Sequence, residues 1–162
     1  GVVTFFLILI LLTNSRVNYP NYVLWGLTIW GAMHMAGGGF LLENGAVLYT
    51  KILIPISTAY QILKYDQLVH IVGFAVATLV MALLLEPHLK PKARTKIGFA
   101  IVIIMAGLGI GALNEIVEFI ATVITPETNV GGYENTSLDL ISDLIGAIIA
   151  TLIYRKMKTN KA

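Results

Sequence analysis

The chain has no cysteine among its 162 residues. Disulfides, thiolate metal ligands and cysteine nucleophiles are therefore excluded. It is also poor in charge: 12% of its residues are Asp, Glu, Lys or Arg, against about 25% in an ordinary soluble domain. No basic tract with interleaved aromatics is present, which argues against nucleic-acid binding. What remains is apolar. Hydrophobic residues make up 57% of the chain and the mean hydropathy is +0.81, the composition of an integral membrane protein. No internal repeat and no soluble domain stands out.

A bilayer core takes about 20 apolar residues per helix. Residues 66–85, "DQLVHIVGFAVATLVMALLL", form one such span, residues 97–124 another and residues 138–154 a third. Residues 22–37, "YVLWGLTIWGAMHMAG", form a fourth, with Tyr22, Trp25 and Trp30 as interface aromatics. The opening "GVVTFFLILILL" is only about 18 Å long as a helix. No basic n-region precedes it, which argues against a signal peptide. Residues 1–13 are read as the visible end of a fifth span that starts upstream. The expected fold is all-α: a polytopic bundle of about five transmembrane helices forming a single domain.

Charge orients the bundle. With alternating spans, Arg16, Lys90, Lys92, Arg94, Lys96, Arg155, Lys156, Lys158 and Lys161 fall on one side and only Lys51 and Lys64 on the other. By the positive-inside rule the first side is cytoplasmic, including the 86–96 loop and the C-terminus. The expected location is the cell (plasma or inner) membrane. The outer loop 37–65 carries "ENGA", able to turn a short hairpin, and "STAYQILKY", able to form an interfacial helix. Residues 126–137, "PETNVGGYENTS", read as a turn-rich connector. They include the triplet Asn135-Thr136-Ser137, a glycosylation acceptor pattern that is common by chance.

Against this apolar background the stretch "GALNEIVEF", residues 111–119, carries Glu115 and Glu118 three residues apart on one helical face. Intramembrane carboxylates face a protein interior or a cavity rather than lipid. At 1.5 Å per residue, His34 lies roughly 18 Å and His70 roughly 22 Å above the cytoplasmic ends of their spans. Glu115 and Glu118 lie at roughly 27 and 31 Å, Asp139 and Asp143 at roughly 22 and 16 Å, and Asp66 near the outer boundary. Seven ionisable side chains from four helices thus share the outer half. Asp66 and His70 pair at i, i+4, as do Asp139 and Asp143.

These five carboxylates and two imidazoles, with no buried Lys or Arg, need countercharge from protons or from a cation. Protons would leave several carboxyls neutral. A cation site with oxygen and imidazole donors and no sulfur suits zinc, iron or manganese. Carboxylate-bridged metal sites in helix bundles use similar donors, although their Glu-x-x-His spacing is absent here. Each residue also has a plainer reading. His34 can be a hydrogen-bonded core residue, Asp66 and His70 a local cap, and Asp139 a partner of its helix dipole beside Ser137. The deeper Asp143 and the convergence of all seven favour a functional centre. "GLGIGALNE" lacks the strand-and-helix context of a nucleotide loop. Gly107 and Gly111 instead form a close-packing face, as do Gly73 and Gly146. Trp30, Phe74 and Phe119 read as packing or interface residues.

The order His34 with Gly37, "YDQLVH" at 65–70, "NEIVEF" at 114–119 and "DLISDLIGA" at 139–147 resembles the YjdF-type family of uncharacterised bacterial inner-membrane proteins. It is similar to the wider VanZ-like group as well, with its Asp-x-x-x-His helix, Glu-bearing helix and Asp-bearing last helix. The resemblance spans about residues 25–155. It implies a site on Asp66, His70, Glu115, Glu118, Asp139 and Asp143, but no particular reaction. The chain departs from the family pattern at Gln67 (usually Arg), at Gly39, Phe40 and Leu42 (a second His and tyrosines), and at Phe119 (usually Trp).

Three functions follow. The first is metal-assisted chemistry on a lipid or lipid-linked substrate from the outer leaflet, with Glu115 or Glu118 as general base. The second is a non-catalytic accessory or assembly subunit of a larger membrane complex. The third is a proton or cation pathway, for which the inner half offers almost no ionisable continuation. The orientation is testable directly. Cysteines introduced at Ala93 and Asn160 should resist a membrane-impermeant thiol reagent in intact cells, and labelling at both would overturn the assignment.

Overall fold

The structure, a computed structural model, describes residues 2–57, 59–125 and 132–159. Five α-helices carry the fold: α1 (Val2–Val17), α2 (Asn21–Gly39), α3 (Tyr65–Leu85), α4 (Ile97–Ile124) and α5 (Tyr133–Thr159). Among the described residues there is no β-strand, only isolated bridges between Leu41 and Val47 and between Ile52 and Lys64. The fold is all-α. By length and apolarity α3, α4 and α5 are each suited to crossing a membrane. They measure about 31, 42 and 40 Å against a hydrocarbon core of about 30 Å. The shorter α1 and the more polar α2, with Asn21, Thr28 and His34, do not meet that standard on their own.

Local sequence explains where the helices stop and start. The α1–α2 turn places Asn18 in the left-handed region at φ 50, which Asn tolerates better than most residues. Asn14 Oδ1 accepts the Tyr19 amide at 3.0 Å, and Pro20 stands just before α2. At the start of α3, Gln67 Oε1 reaches back to the Lys64 amide at 2.9 Å, satisfying a donor the helix cannot. After Leu85 the chain tightens into short 3-10 turns at Glu86–His88 and Pro91–Ala93. There Glu86 accepts from Arg94 at 2.7 Å and from Lys158 at 2.5 Å, tying this end of α3 to α5.

The packing centre is α3, which contacts α2, α4 and α5. Its apolar window is 56% buried, against 39% for α4 and α5. The face that α5 turns inward is a stripe of Asp139, Asp143, Gly146, Ala150 and Tyr154, spaced by three and four residues. Its small residues let the two backbones approach. A Cβ at Gly146 would meet the Ile71 carbonyl oxygen and, at 2.9 Å, the Ala75 amide nitrogen. The outward faces are apolar: Leu12 on α1 is 73% exposed and Ile124 on α4 is 75% exposed. A soluble monomer rarely leaves such surfaces bare, whereas lipid covers them.

Two connecting segments differ from the sequence expectation. The connector read over 126–137 ends earlier, because α5 already begins at Tyr133, where Glu134 in its first turn suits the helix dipole. Asn135-Thr136-Ser137 is therefore helical, and residues 126–131 lie outside the described residues. The "STAYQILKY" segment forms no interfacial helix over its described residues. It pairs back on the chain instead, with Leu53 donating to the Leu63 carbonyl at 3.0 Å and Tyr65 to that of Lys51 at 2.8 Å. Leu63 turns there at φ 61. At the other end of the same loop, the Glu43-Asn44-Gly45 turn brings Leu41 to Val47, with Gly45 at φ 81.

The α3–α5 contact makes the first structural prediction. Gly146→Val should lower stability by about 1–3 kcal/mol, the usual cost of overpacking. Gly109→Ala, whose Cβ meets nothing within 4 Å, should not destabilise. Thermal unfolding in detergent compares the two, and equal midpoints would contradict the close α3–α5 approach.

Candidate functional site

At one end of the bundle, α3, α4 and α5 present their acids and imidazole at similar depth. Counted from the helix ends, Asp139 and Glu118 lie about 9 Å in, Glu115 and Asp143 about 14–15 Å, and His70 about 8 Å. The helical pairs seen in the sequence put each set on an inward face. His70, Glu115, Asp139 and Asp143 are buried, while Asp66 and Glu118 are half-buried.

His70 is the hub. Its Nδ1 lies 2.8 Å from Asp143 Oδ1 on α5, and its Nε2 lies 3.9 Å from Asp66 Oδ1 on its own helix. Asp66, His70 and Asp139 each offer one ligand atom within 4.8 Å of the others, and so do His70, Glu115 and Glu118. Both groups include His70. Asp143 belongs to neither; it holds the imidazole from behind.

Amides knit the acids together. Asn114 Nδ2 donates to Glu118 Oε1 at 2.8 Å and lies 3.5 Å from Glu115 Oε1. Asn135 Nδ2 donates to Asp139 Oδ2 at 2.5 Å and to Asp66 Oδ2 at 3.4 Å. Lys64 Nζ donates in turn to Asn135 Oδ1. The chain returning from residue 51 to 64 brings the half-buried Lys64 to the rim, where it reaches the acids through Asn135.

Two carboxylate oxygens nevertheless have no partner among the described residues, Asp139 Oδ1 and Asp143 Oδ2. Their residues are 1% and 0% exposed. An unsatisfied buried acceptor costs about 1–3 kcal/mol, more if charged. Asp143 Oδ2 fits into the notch left by Gly111 on α4, where any Cβ would collide with it. That glycine sets the α4–α5 distance at the site.

His34 stands apart. It joins neither ligand group among the described residues. Tyr49, from the α2–α3 connection, donates its hydroxyl to the His34 carbonyl at 2.7 Å, and its oxygen lies 2.8 Å from His34 Nδ1. The hydroxyl has a single proton and the carbonyl can only accept. His34 Nδ1–H must therefore donate to Tyr49, which leaves Nε2 as the acceptor of the neutral ring. Burial, and behind it the nearby Asp66 carboxylate, push the Tyr49 phenol up from its usual range, so it stays protonated for this role. The Tyr49 ring fills the notch at Gly37. His34 and His70 meet only across a small chamber of about 10 Å³ lined also by Trp30, Val69, Phe74 and Asn114, with room for about one water.

Of the seven side chains singled out in the sequence, six are therefore brought together and His34 is held one step away. Sequence reasoning missed Asn114, Asn135, Lys64 and Tyr49. An amide directly before Glu115 in an apolar run was a readable signal, and so was Asn135 four residues before Asp139. Tyr49 gave none, since its contact with His34 depends on how the α2–α3 connection folds back. No curated protein and no solved structure matches the chain. The family model described as "Predicted membrane protein (DUF2238)" matches residues 1–160, and the chain belongs to that family of predicted membrane proteins.

Proposed function

We propose that this end of the bundle is a divalent-cation centre, for zinc, iron or manganese, that serves chemistry on a lipid or lipid-linked substrate. The carrying observation is the Asp143–His70 pair. A metal-binding imidazole characteristically donates its second nitrogen to a carboxylate, which fixes its tautomer and raises its basicity. Here Asp143 takes Nδ1 at 2.8 Å, and Nε2 is turned toward Asp66. The unpartnered Asp139 Oδ1 adds an acceptor in need of a cation. Oxygen and nitrogen donors without sulfur fit these metals.

Within this reading His70, Asp66 and Asp139 hold the cation, Asp143 orients His70, and Glu115 and Glu118 form the second group that shares His70. A cation there would supply a bound water of lowered pKa. Glu118, half-buried and hydrogen-bonded by Asn114, would take a proton from a reacting group, with the buried Glu115 as the alternative base. The same proposal includes five spans, a cell-membrane location, a cytoplasmic C-terminus that puts the site in the outer half, and kinship with YjdF-type and VanZ-like proteins. One observation favours a second reading. The Lys64–Asn135–Asp139 chain supplies part of the countercharge from the protein itself, as a structural network in an accessory or assembly subunit of a membrane complex would.

Metal analysis separates the two. Protein purified without chelators should carry a divalent metal, and Glu43→Gln in the outer loop should leave the content unchanged. Asp143→Asn should weaken affinity roughly 10–100-fold, the usual cost of losing a partner behind the ligand. Glu115→Gln tests the second group; weakened binding in a folded bundle would extend the site to α4. Ligating histidine must be neutral and ligating carboxylates ionised, so binding releases protons and affinity should fall as pH is lowered. A metal-free preparation that co-purifies with larger membrane subunits would overturn the cation centre in favour of the accessory role.

A further inference from the structure

We propose that the groove between α1 and α2 is a binding site for a single lipid acyl chain, with the polar end of that lipid beside His34. This deepens the functional reading above and rests on its premise that the substrate is a lipid. The groove encloses about 300 Å³ and is lined by Phe6, Leu7 and Ile10 from α1 and by Leu24, Leu27 and Gly31 from α2. That volume lies at the lower end of small-molecule sites.

Its chemistry selects the occupant. The wall's one hydroxyl, on Thr28, is turned back onto the Leu24 carbonyl at 2.9 Å. The other polar side-chain atom of the wall, Trp30 Nε1, packs against Gly73 of α3, and the rest of the lining is hydrocarbon, which suits an apolar occupant. Leu7 at the rim is 59% exposed, and on the same two helices Leu11 is 71% and Trp25 66% exposed. The groove is continuous with the lipid-facing surface, where acyl chains are the solvent. Gly31 makes room in it, since a Cβ there meets nothing within 4 Å.

The groove also leads toward the site. Trp30 lines both the groove and the small chamber shared by His34, His70 and Asn114. His34 follows Gly31 by one turn, about 4.5 Å further along α2, with its ring centre 5.9 Å from that of Trp30. A chain lying along Leu24, Leu27 and Gly31 therefore ends beside the Tyr49-fixed imidazole, at the end of the bundle that carries the acids.

Photolabelling tests this on the full chain reconstituted in phosphatidylglycerol vesicles containing a phospholipid with a diazirine in mid-chain. Mass spectrometry should find the label enriched on residues 24–31 of α2. Gly31→Phe should abolish that enrichment, and Gly109→Phe, on the lipid-facing side of α4, should preserve it. Label spread evenly over the exposed faces, or enrichment unaffected by Gly31→Phe, would overturn the acyl site and leave ordinary boundary lipid. Metal content of the same samples keeps the two ideas separate. Enrichment in metal-free protein supports the groove and counts against the cation centre; uniform label in metal-loaded protein does the reverse.

Discussion

The contact between His70 and Asp143 is the constraint around which the bundle is arranged. It joins α3, the most buried helix, to α5 through two side chains with almost no access to solvent. Breaking a buried pair of this kind by removing one member costs about 3–5 kcal/mol, because the other is stranded. Its geometry requires α3 and α5 to lie close, which Gly146 permits, and requires α4 to leave space for the Asp143 carboxyl, which Gly111 does. The small residues of the bundle are thus placed for the polar centre as much as for helix packing.

The two ends of α3 use ionisable groups differently. At one end Glu86 is matched by Arg94 and Lys158 and hydrogen-bonded by Tyr154 at 3.3 Å. That network satisfies its charges and closes the α3–α4 connection onto α5. At the other end, six acids and imidazoles share one partial countercharge, Lys64, through Asn135. On the proposed reading this contrast separates a fastening from a site. A structural network tends toward full satisfaction, whereas two buried oxygens here have no partner among the described residues.

Much of this was legible in the sequence because a membrane restricts the options. Apolar runs marked helices, and charge inside them marked the centre. The apolar run at 97–124 matches the length of α4, whereas α5 extends beyond the apolar run at 138–154 at both ends. An apolar run reports the thickness of lipid, and α5 continues beyond it on polar residues at Tyr133–Ser137 and Arg155–Thr159. Within the site, pairs at i, i+3 and i, i+4 could be read because helix geometry is local. That Asp143 meets Nδ1 of His70, 73 residues away, could not, nor could the Tyr49 contact that separates His34 from the group. Those depend on the rotation of one helix against another and on the path of a loop, which no local periodicity encodes.

The division of labour at His70, with Asp143 on Nδ1 and the cation on Nε2, is the central claim. Nuclear magnetic resonance of isotope-labelled histidine in the reconstituted protein reads the two ring nitrogens separately. On titration with zinc the account predicts that the Nε2 signal of His70 shifts while Nδ1 keeps its proton and its bond to Asp143. A His70 ring indifferent to the metal, or one that loses the Nδ1 proton on binding, would contradict it.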